Sequence, residues 1–280
     1  MRPLLLASLI LLALSGCALR KQAVDQLGDA IAAGGSVYAR DDDPELVREA
    51  APFSLKLIES LLEESPRHVG LLRAAARGFT QYSYAFLQQD AEEAEDRDLD
   101  RAAQLEARAR SLYRRARDYG RRGLAEAPDD VALLYWTAAA SAAYIGLSKH
   151  DPEALADLPQ VEGLMQRALN LDEAFDAGAL HILMVSYLMA RPDAGVHAAQ
   201  TARRHFARAI ELSGGNTAAP FVALAEAVAV PEQTRTEFER LLRRALEVDL
   251  ERKPDLRLAN LVAQKRARWL LSRTDRLFIK

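Results

Sequence analysis

The feature that most constrains this chain is an apolar helical pattern that recurs five times. It reads FSLKLIESLLEESP from Phe53, ARDYGRRGLAEAPDD from Ala116, VEGLMQRALNLDEA from Val161, ARRHFARAIELSGG from Ala202 and FERLLRRALEVDLE from Phe238. Each segment holds a small residue followed by an aliphatic one: Ser60-Leu61, Gly123-Leu124, Ala168-Leu169, Ala209-Ile210 and Ala245-Leu246. Three positions earlier stands Leu57, Gly120, Met165, Phe206 or Leu242, and seven positions earlier Phe53, Ala116, Val161, Ala202 or Phe238. Residues spaced this way share one face of an α-helix. Gly120 is the weak member.

A short polar break follows each segment, and then a second apolar helix: Leu71 to Phe86, Val131 to Leu147, Ala179 to Met189, Ala218 to Val230 and Leu256 to Leu271. The unit is therefore helix, tight turn, helix. One such pair cannot bury its apolar face alone, so pairs must stack. Gly is 14 and Pro is 11, and Ala, Leu, Arg and Glu are abundant. That composition favours helices over a strand-rich fold. The small-aliphatic pair near the end of one helix, with a turn before the next, resembles the tetratricopeptide repeat (TPR). The pairs lie 63, 45, 41 and 36 residues apart, against a standard period of about 34, so the first interval predicts an insertion. The expected fold class is all-α, a TPR-like helix-pair solenoid over residues 44–280.

Arg2 precedes an apolar run from Leu4 to Leu14, and Ser15-Gly16-Cys17 follows. This is the plan of a secretory signal, and the run is shorter than the roughly 20 residues of a membrane span. Leu14-Ser15-Gly16-Cys17 resembles the lipobox of bacterial lipoproteins, which implies cleavage before Cys17 and its acylation. Cys17 is the only cysteine, so the chain forms no internal disulfide. By the same resemblance, Ala18 in place of Asp implies the outer membrane. Three segments are expected: a lipoprotein signal peptide at 1–16, a lipid-anchored N-terminal segment at 17–43 and the repeat domain beyond. The protein is then periplasmic and meets the membrane through its lipid only, since two acyl chains suffice for stable anchoring. Val131 to Leu147 is also uncharged. It is short and Ala-rich, and Asp129-Asp130 before it suits a helix start, so it reads as a core helix.

Lys plus Arg is 37 and Asp plus Glu is 40, for a net charge of −3. This balance does not point to nucleic acid. The five histidines show no HExxH or zinc spacing, no G-x-S-x-G is present, and Gly34-Gly35-Ser36 and Gly214-Gly215-Asn216 lack the features of a phosphate loop. Neither an enzyme, a metal nor a cofactor is expected. Asp43, Pro44 and Glu45 read as a helix start, and Pro52 as a kink or a new start. Asp90 to Asp100 carries seven acids, and Arg101 to Arg122 carries eight arginines. This polarised stretch reads as one long solvated helix, or as a docking surface.

The aromatic residues supply the candidate site. Phe79, Tyr82 and Phe86 share one helix face, Trp136 and Tyr144 another, and His181 and Tyr187 lie near Met184 on a third helix. They either line a ligand cavity or pore, or fill an ordinary repeat core.

The order of lipobox, GGSVYARDDDPELVREAAPFSLKLIESLL, GFTQYSYAF and an acidic-to-basic helix resembles the lipoprotein T-components associated with TRAP transporters (TatT-like proteins). That resemblance implies a periplasmic, all-helical, TPR-like homotrimer with a central pore. It also implies work beside a TRAP-type substrate-binding protein and passive transfer of a small ligand, hydrophobic ones included. A general TPR-type lipoprotein scaffold for envelope protein assembly is the other reading.

Overall fold

The computed structural model describes residues 22–191, 195 and 197–279. The expected signal peptide and Cys17 lie outside the described residues. The chain opens with helix α1 (22–33) and the short α2 (Gly35–Ala39). From there aspartates start the helices. Asp43 accepts the N–H groups of Glu45 and Leu46, with Pro44 in the first turn of α3 (Pro44–Glu64). α4 (Val69–Tyr82) continues through a π-helical turn (Ser83–Gln88) into α5 (Gln89–Ala94). Asp98 caps α6 (Leu99–Glu126) and Asp130 caps α7 (Val131–Gly146). There follow α8 (Pro152–Ala156), α9 (Leu158–Leu171), α10 (Phe175–Ala190), α11 (Ala198–Ser213) and α12 (Ala219–Leu224). A second π-helical turn (Ala225–Ala229) extends α12, and α13 (Arg235–Leu246), α14 (Arg257–Ser272) and α15 (Thr274–Leu277) complete the chain. The fold is all-α, with no strand among the described residues.

The five helix pairs are α3/α4, α6/α7, α9/α10, α11/α12 and α13/α14. In four of them the recurrent face is packed inward: Ala116, Gly120 and Gly123, then Val161, Met165 and Ala168, Ala202 and Ala209, and Phe238, Leu242 and Ala245 are buried. Gly120 is a position of close approach. A Cβ there would lie 2.1 Å from Thr137 Oγ1 on α7.

Three expectations need correction. In α3 the recurrent face points to solvent, with Phe53 75% exposed and Leu57 37%. Val47, Leu55, Ile58 and Leu62 are buried instead. Pro52 does not start a new helix but lies inside α3. The acidic and basic stretches are two helices, α5 and α6, divided where Asp98 accepts the Arg101 N–H.

The second helices of the pairs pack in a row, α4 on α7, α7 on α10, α10 on α12 and α12 on α14. α14 then packs against α2 and α3, so the row returns to its start. Ion pairs hold the closure. Arg40 meets Asp255 at 2.5 Å, Lys265 meets Asp90 and Glu93 at 3.3 Å, and Arg273 and Arg276 both reach Asp96. The acids of α5 are thus neutralised by α14. No described helix is long and apolar enough to cross a membrane.

Candidate functional site

The aromatic candidates lie in the packed core rather than around one hollow. Phe79 is buried and stacks on Tyr119 at 6.0 Å. Tyr82 and Phe86 are buried 5.5 Å apart, and Arg48 covers the Phe86 ring at 4.8 Å. Trp136 is buried edge-on to Tyr135 at 4.7 Å. Tyr144 is half-buried under Arg117. Tyr187 is buried and donates to the Leu158 carbonyl at 3.0 Å. His181 is buried with its Nδ1 2.7 Å from His205 Nδ1. Phe79, Tyr82 and Phe86 share one cluster, which Tyr144 borders, whereas Tyr187 belongs to another.

A different set of residues marks an inner surface. These side chains keep accessible surface although burial disfavours their charged forms. Tyr84, on the first π-helical turn, is 41% exposed. Burial and the nearby Glu226 nonetheless push its hydroxyl up to about 12. Glu226, on the second π-helical turn, keeps 31% of its side chain accessible. Burial raises its carboxyl above the usual range, against the pull of Arg266. π-helical turns often occur at functional sites, and here two supply facing groups.

Arg266 of α14 joins them. It lies 2.6 Å from Glu226 and also pairs with Glu92. Burial opposes its charge, but the two carboxylates outweigh that and raise its pKa. Gln88 Nε2 donates to Glu92 at 3.1 Å, and the Tyr113 hydroxyl donates to Gln88 Oε1 at 2.8 Å. This first polar pole is a continuous network across the closure of the row.

A second pole lies about 10 Å along the same helix, seven residues from Tyr84 at 1.5 Å per residue. Arg77 is half-buried, and desolvation lowers its pKa despite the nearby carboxylate of Asp176. Asp176, at the start of α10, is exposed by area, but burial raises its carboxyl pKa. Tyr135 of α7 is half-buried, and burial followed by Asp176 raises its hydroxyl. Three left-handed residues place Asp176 here: Asp176 at φ 45°, Ala177 at 54° and Gly178 at 87°. Such a conformation is unfavourable for Ala and tolerated by Asp. A Cβ on Gly35 would lie 1.5 Å from Arg77 Nη2, so the glycine leaves the guanidinium its place.

Ala132, Ala139 and Ala142 on α7 are half-buried, as are Ile182 and Met189 on α10 and Ala223 and Val230 near the second π-helical turn; Met189, Ala223, Val230 and Ala142 pack against the buried clusters. By contrast, the shallow outer groove between α3 and α6, about 430 Å³, is lined by Lys56, Glu59, Glu63, Arg115 and Arg122, most of them already partnered. Arg115 meets Glu59, and Arg122 donates to the Pro66 carbonyl. Among the described residues no group of three or more His, Cys, Asp or Glu is arranged to hold a metal.

Sequence reasoning missed Tyr84, Arg77, Tyr135, Asp176, Glu226 and Arg266. One of them carried a signal: Glu226 is the only charged residue between Ala218 and Pro231. A lone charge in an apolar run is costly unless it has a partner.

The sequence model of the TRAP transporter T-component family matches residues 40–130 and 125–278. An uncharacterised protein of Treponema pallidum (strain Nichols) is 28% identical over 271 residues, covering 87% of this chain and 83% of that protein.

Proposed function

The chain belongs to the family of TRAP transporter T-components, and from that premise we propose that it is a lipid-anchored periplasmic protein that docks a TRAP-type substrate-binding protein and gives a small ligand a passive route through its interior. The family gives it a role in TRAP transport. The observation that carries the finer reading is the network at the closure of the row, where Tyr84 and Glu226 stay accessible although burial raises the pKa of both, beside Arg266 and Glu92. A passage needs a few such polar tips to orient a ligand, and apolar walls for its body. No step in this reading is chemical, and ion-coupled work would belong to a separate membrane permease.

Cys17, the first residue of the mature chain in this reading, carries the lipid and holds the protein at the outer membrane. The reading includes a homotrimer. Leu46, Phe53 and Leu57 support it, because they form an apolar stripe along α3 at 56%, 75% and 37% exposure, and exposed apolar stripes mark contact surfaces.

Light scattering coupled to size exclusion tests the assembly. The expected mass is that of a trimer, and Phe53→Glu should lower it to the monomer without changing the helical content. A wild-type protein that stays monomeric at all concentrations sinks the trimeric pore. Co-purification tests the docking, and the expected companion is a TRAP-type binding protein encoded beside this chain.

A further inference from the structure

We propose that the outer face of α6 is a membrane-facing surface, on which Arg101, Arg108, Arg114, Arg115 and Arg122 lie against the phosphate headgroups of an anionic bilayer. The bilayer then meets the protein at more than its lipid, and the second contact sets the orientation of the anchored chain. The proposal rests on the reading of Cys17 as the anchor.

Spacing sets the row. Arg101, Arg108, Arg115 and Arg122 recur every seven residues, so they follow one side of the helix, about 10 Å apart and about 32 Å from end to end. Arg114 stands beside Arg115. All five are exposed. The one exposed acid on α6 between Arg101 and Arg122 is Asp118, which Arg117 meets at 3.3 Å. The exposed arginines of α13 show the ordinary arrangement: Arg235 and Arg243 meet Glu239 at 3.0 and 2.7 Å, and Arg244 meets Glu247 at 2.8 Å. On α6 the side chains of Arg101, Arg108 and Arg114 have no hydrogen bond or ion pair among the described residues. Arg115 meets Glu59 at 3.3 Å, and Arg122 donates only to the Pro66 carbonyl, at 2.9 Å. The face therefore carries uncompensated positive charge. Guanidinium groups grip phosphate oxygens with paired hydrogen bonds.

A second observation says which anion. One end of the row lies beside the place where the chain arrives from Cys17. α1 starts at residue 22 and is held on the turn between α3 and α4. Ser65 Oγ donates to the Asp25 carboxylate at 2.5 Å, and His68 Nε2 lies 3.2 Å from the Asp25 carbonyl oxygen and 3.3 Å from the Asp29 carboxylate. Between Ser65 and His68 stand Pro66 and Arg67, and these are what the end of α6 touches: Arg122 reaches Pro66, and Arg67 meets Glu126 at 2.7 Å. The start of α1 and the Arg122 end of the row thus share one turn. Five residues lead from Cys17 to residue 22, a reach of at most about 18 Å. A bilayer that holds the acyl chains is then the nearest extended anion, and a helix face about 32 Å long can lie flat on it. Anionic leaflets attract basic clusters held near their surface.

The test reads orientation on vesicles. Ser111 is exposed between Arg108 and Arg114, and Ser111→Cys in the full lipoprotein supplies a thiol for a nitrobenzoxadiazole label. The protein is reconstituted with vesicles of phosphatidylcholine, or of phosphatidylcholine with one third phosphatidylglycerol, each carrying a trace of lipid with a nitroxide on its headgroup. Quenching of the label should be at least threefold stronger on the phosphatidylglycerol vesicles. Salt at 1 M should erase the difference, because the screening length falls to about 3 Å. Arg101→Gln, Arg108→Gln and Arg114→Gln together should lower the quenching to the phosphatidylcholine level, and because these side chains have no bonded partner the fold should be unchanged. Equal quenching on the two kinds of vesicle overturns the proposal, as does strong quenching that survives the triple variant.

Flotation of the same samples separates this face from the anchor. Protein that floats with both kinds of vesicle and shows no difference in quenching keeps the anchor and removes the basic face. Protein that floats only with phosphatidylglycerol, and sinks in 1 M salt, keeps the face and removes the anchor. Protein that floats with neither loses both. A label that responds to an added TRAP-type binding protein and not to phosphatidylglycerol gives the arginines to a protein partner and overturns the proposal.

Discussion

The two polar poles of the interior are built from similar groups and differ in how those groups are spent. At the π-helical turns, Tyr113, Gln88, Glu92, Arg266 and Glu226 form one chain of hydrogen bonds and ion pairs. One turn and more before the end of α4, Arg77 stands without a bonded partner among the described residues, as do Tyr135 and Asp176, although the charges of Arg77 and Asp176 influence each other. The first pole joins α5 to α14, the start and end of the row, and so does structural work. The second joins nothing. Asp176 stands in the only stretch of the described helices with three consecutive left-handed residues. The first pole is not fully satisfied either, since Arg266 Nη1 is buried without a hydrogen-bond partner; what separates the poles is bonding across helices, present at one and absent at the other.

If that distinction is right, the largest effect belongs to the first pole. Arg266→Ala leaves Glu92 and Glu226 facing each other without their cation. Removing one partner of a buried pair typically costs about 3–5 kcal/mol, and Arg266 is 8% exposed. Urea unfolding should show the midpoint falling accordingly, with the closure between α5 and α14 opening first. A loss below about 1 kcal/mol would mean that the network adds little to the fold, and the contrast between the poles would collapse.

A pH dependence comes next, outside both poles. Burial holds the pKa of His181 below its usual value, against the pull of Glu173. Burial, followed by His181 itself, does the same to His205. An unfolded histidine titrates near pH 6.5. Because both folded values are lower, the unfolded chain binds more protons as the pH falls. The stability these groups confer is therefore complete above about pH 6.5 and is lost as the pH falls through and below it. Melting temperatures should drop between pH 7.5 and 5.5, and His205→Gln should flatten that drop. An equally steep drop in the variant would place the titration elsewhere.

The strain at the second pole should be measurable in isolation. Ala177 occupies φ 54°, where a Cβ costs about 1–2 kcal/mol. Glycine costs the unfolded chain extra entropy, so Ala177→Gly should stabilise by about 0.5–1 kcal/mol. If it destabilises, the left-handed run is relaxed as it stands and stores nothing for Asp176.

The two poles also differ in how far the sequence discloses them. The helix pairs were legible because spacing within one helix is local: Met165 and Ala168 declare their common face without reference to anything distant. α3 shows where that logic ends. It bears two apolar stripes, one through Phe53 and Leu57 and one through Leu55 and Ile58, and no local rule says which one meets the neighbouring helix. Glu226 was visible as a lone charge in an apolar run. Arg77 and Asp176 were not, because their meeting depends on how α4 and α10 are set around the interior and on a backbone turn that Asp176-Ala177-Gly178 does not announce. The aromatic residues misled for a related reason: Phe79, Tyr82 and Phe86 share a face as expected, but that face is the one α4 buries.

The smallest effect is the most discriminating. Arg77→Gln removes a charge that is half-buried and has no bonded partner. Desolvation already works against this guanidinium, so removing it relieves a cost, and the attraction of Asp176 is lost in exchange. The two changes oppose each other, and stability should move by no more than about 0.5 kcal/mol, the usual range for a substitution that breaks no contact. Urea unfolding of the variant beside Arg266→Ala makes the comparison direct, since both lose one arginine from the same interior. A loss at Arg77 as large as that at Arg266 would show that the second pole also holds the fold together, although nothing bonds it across helices.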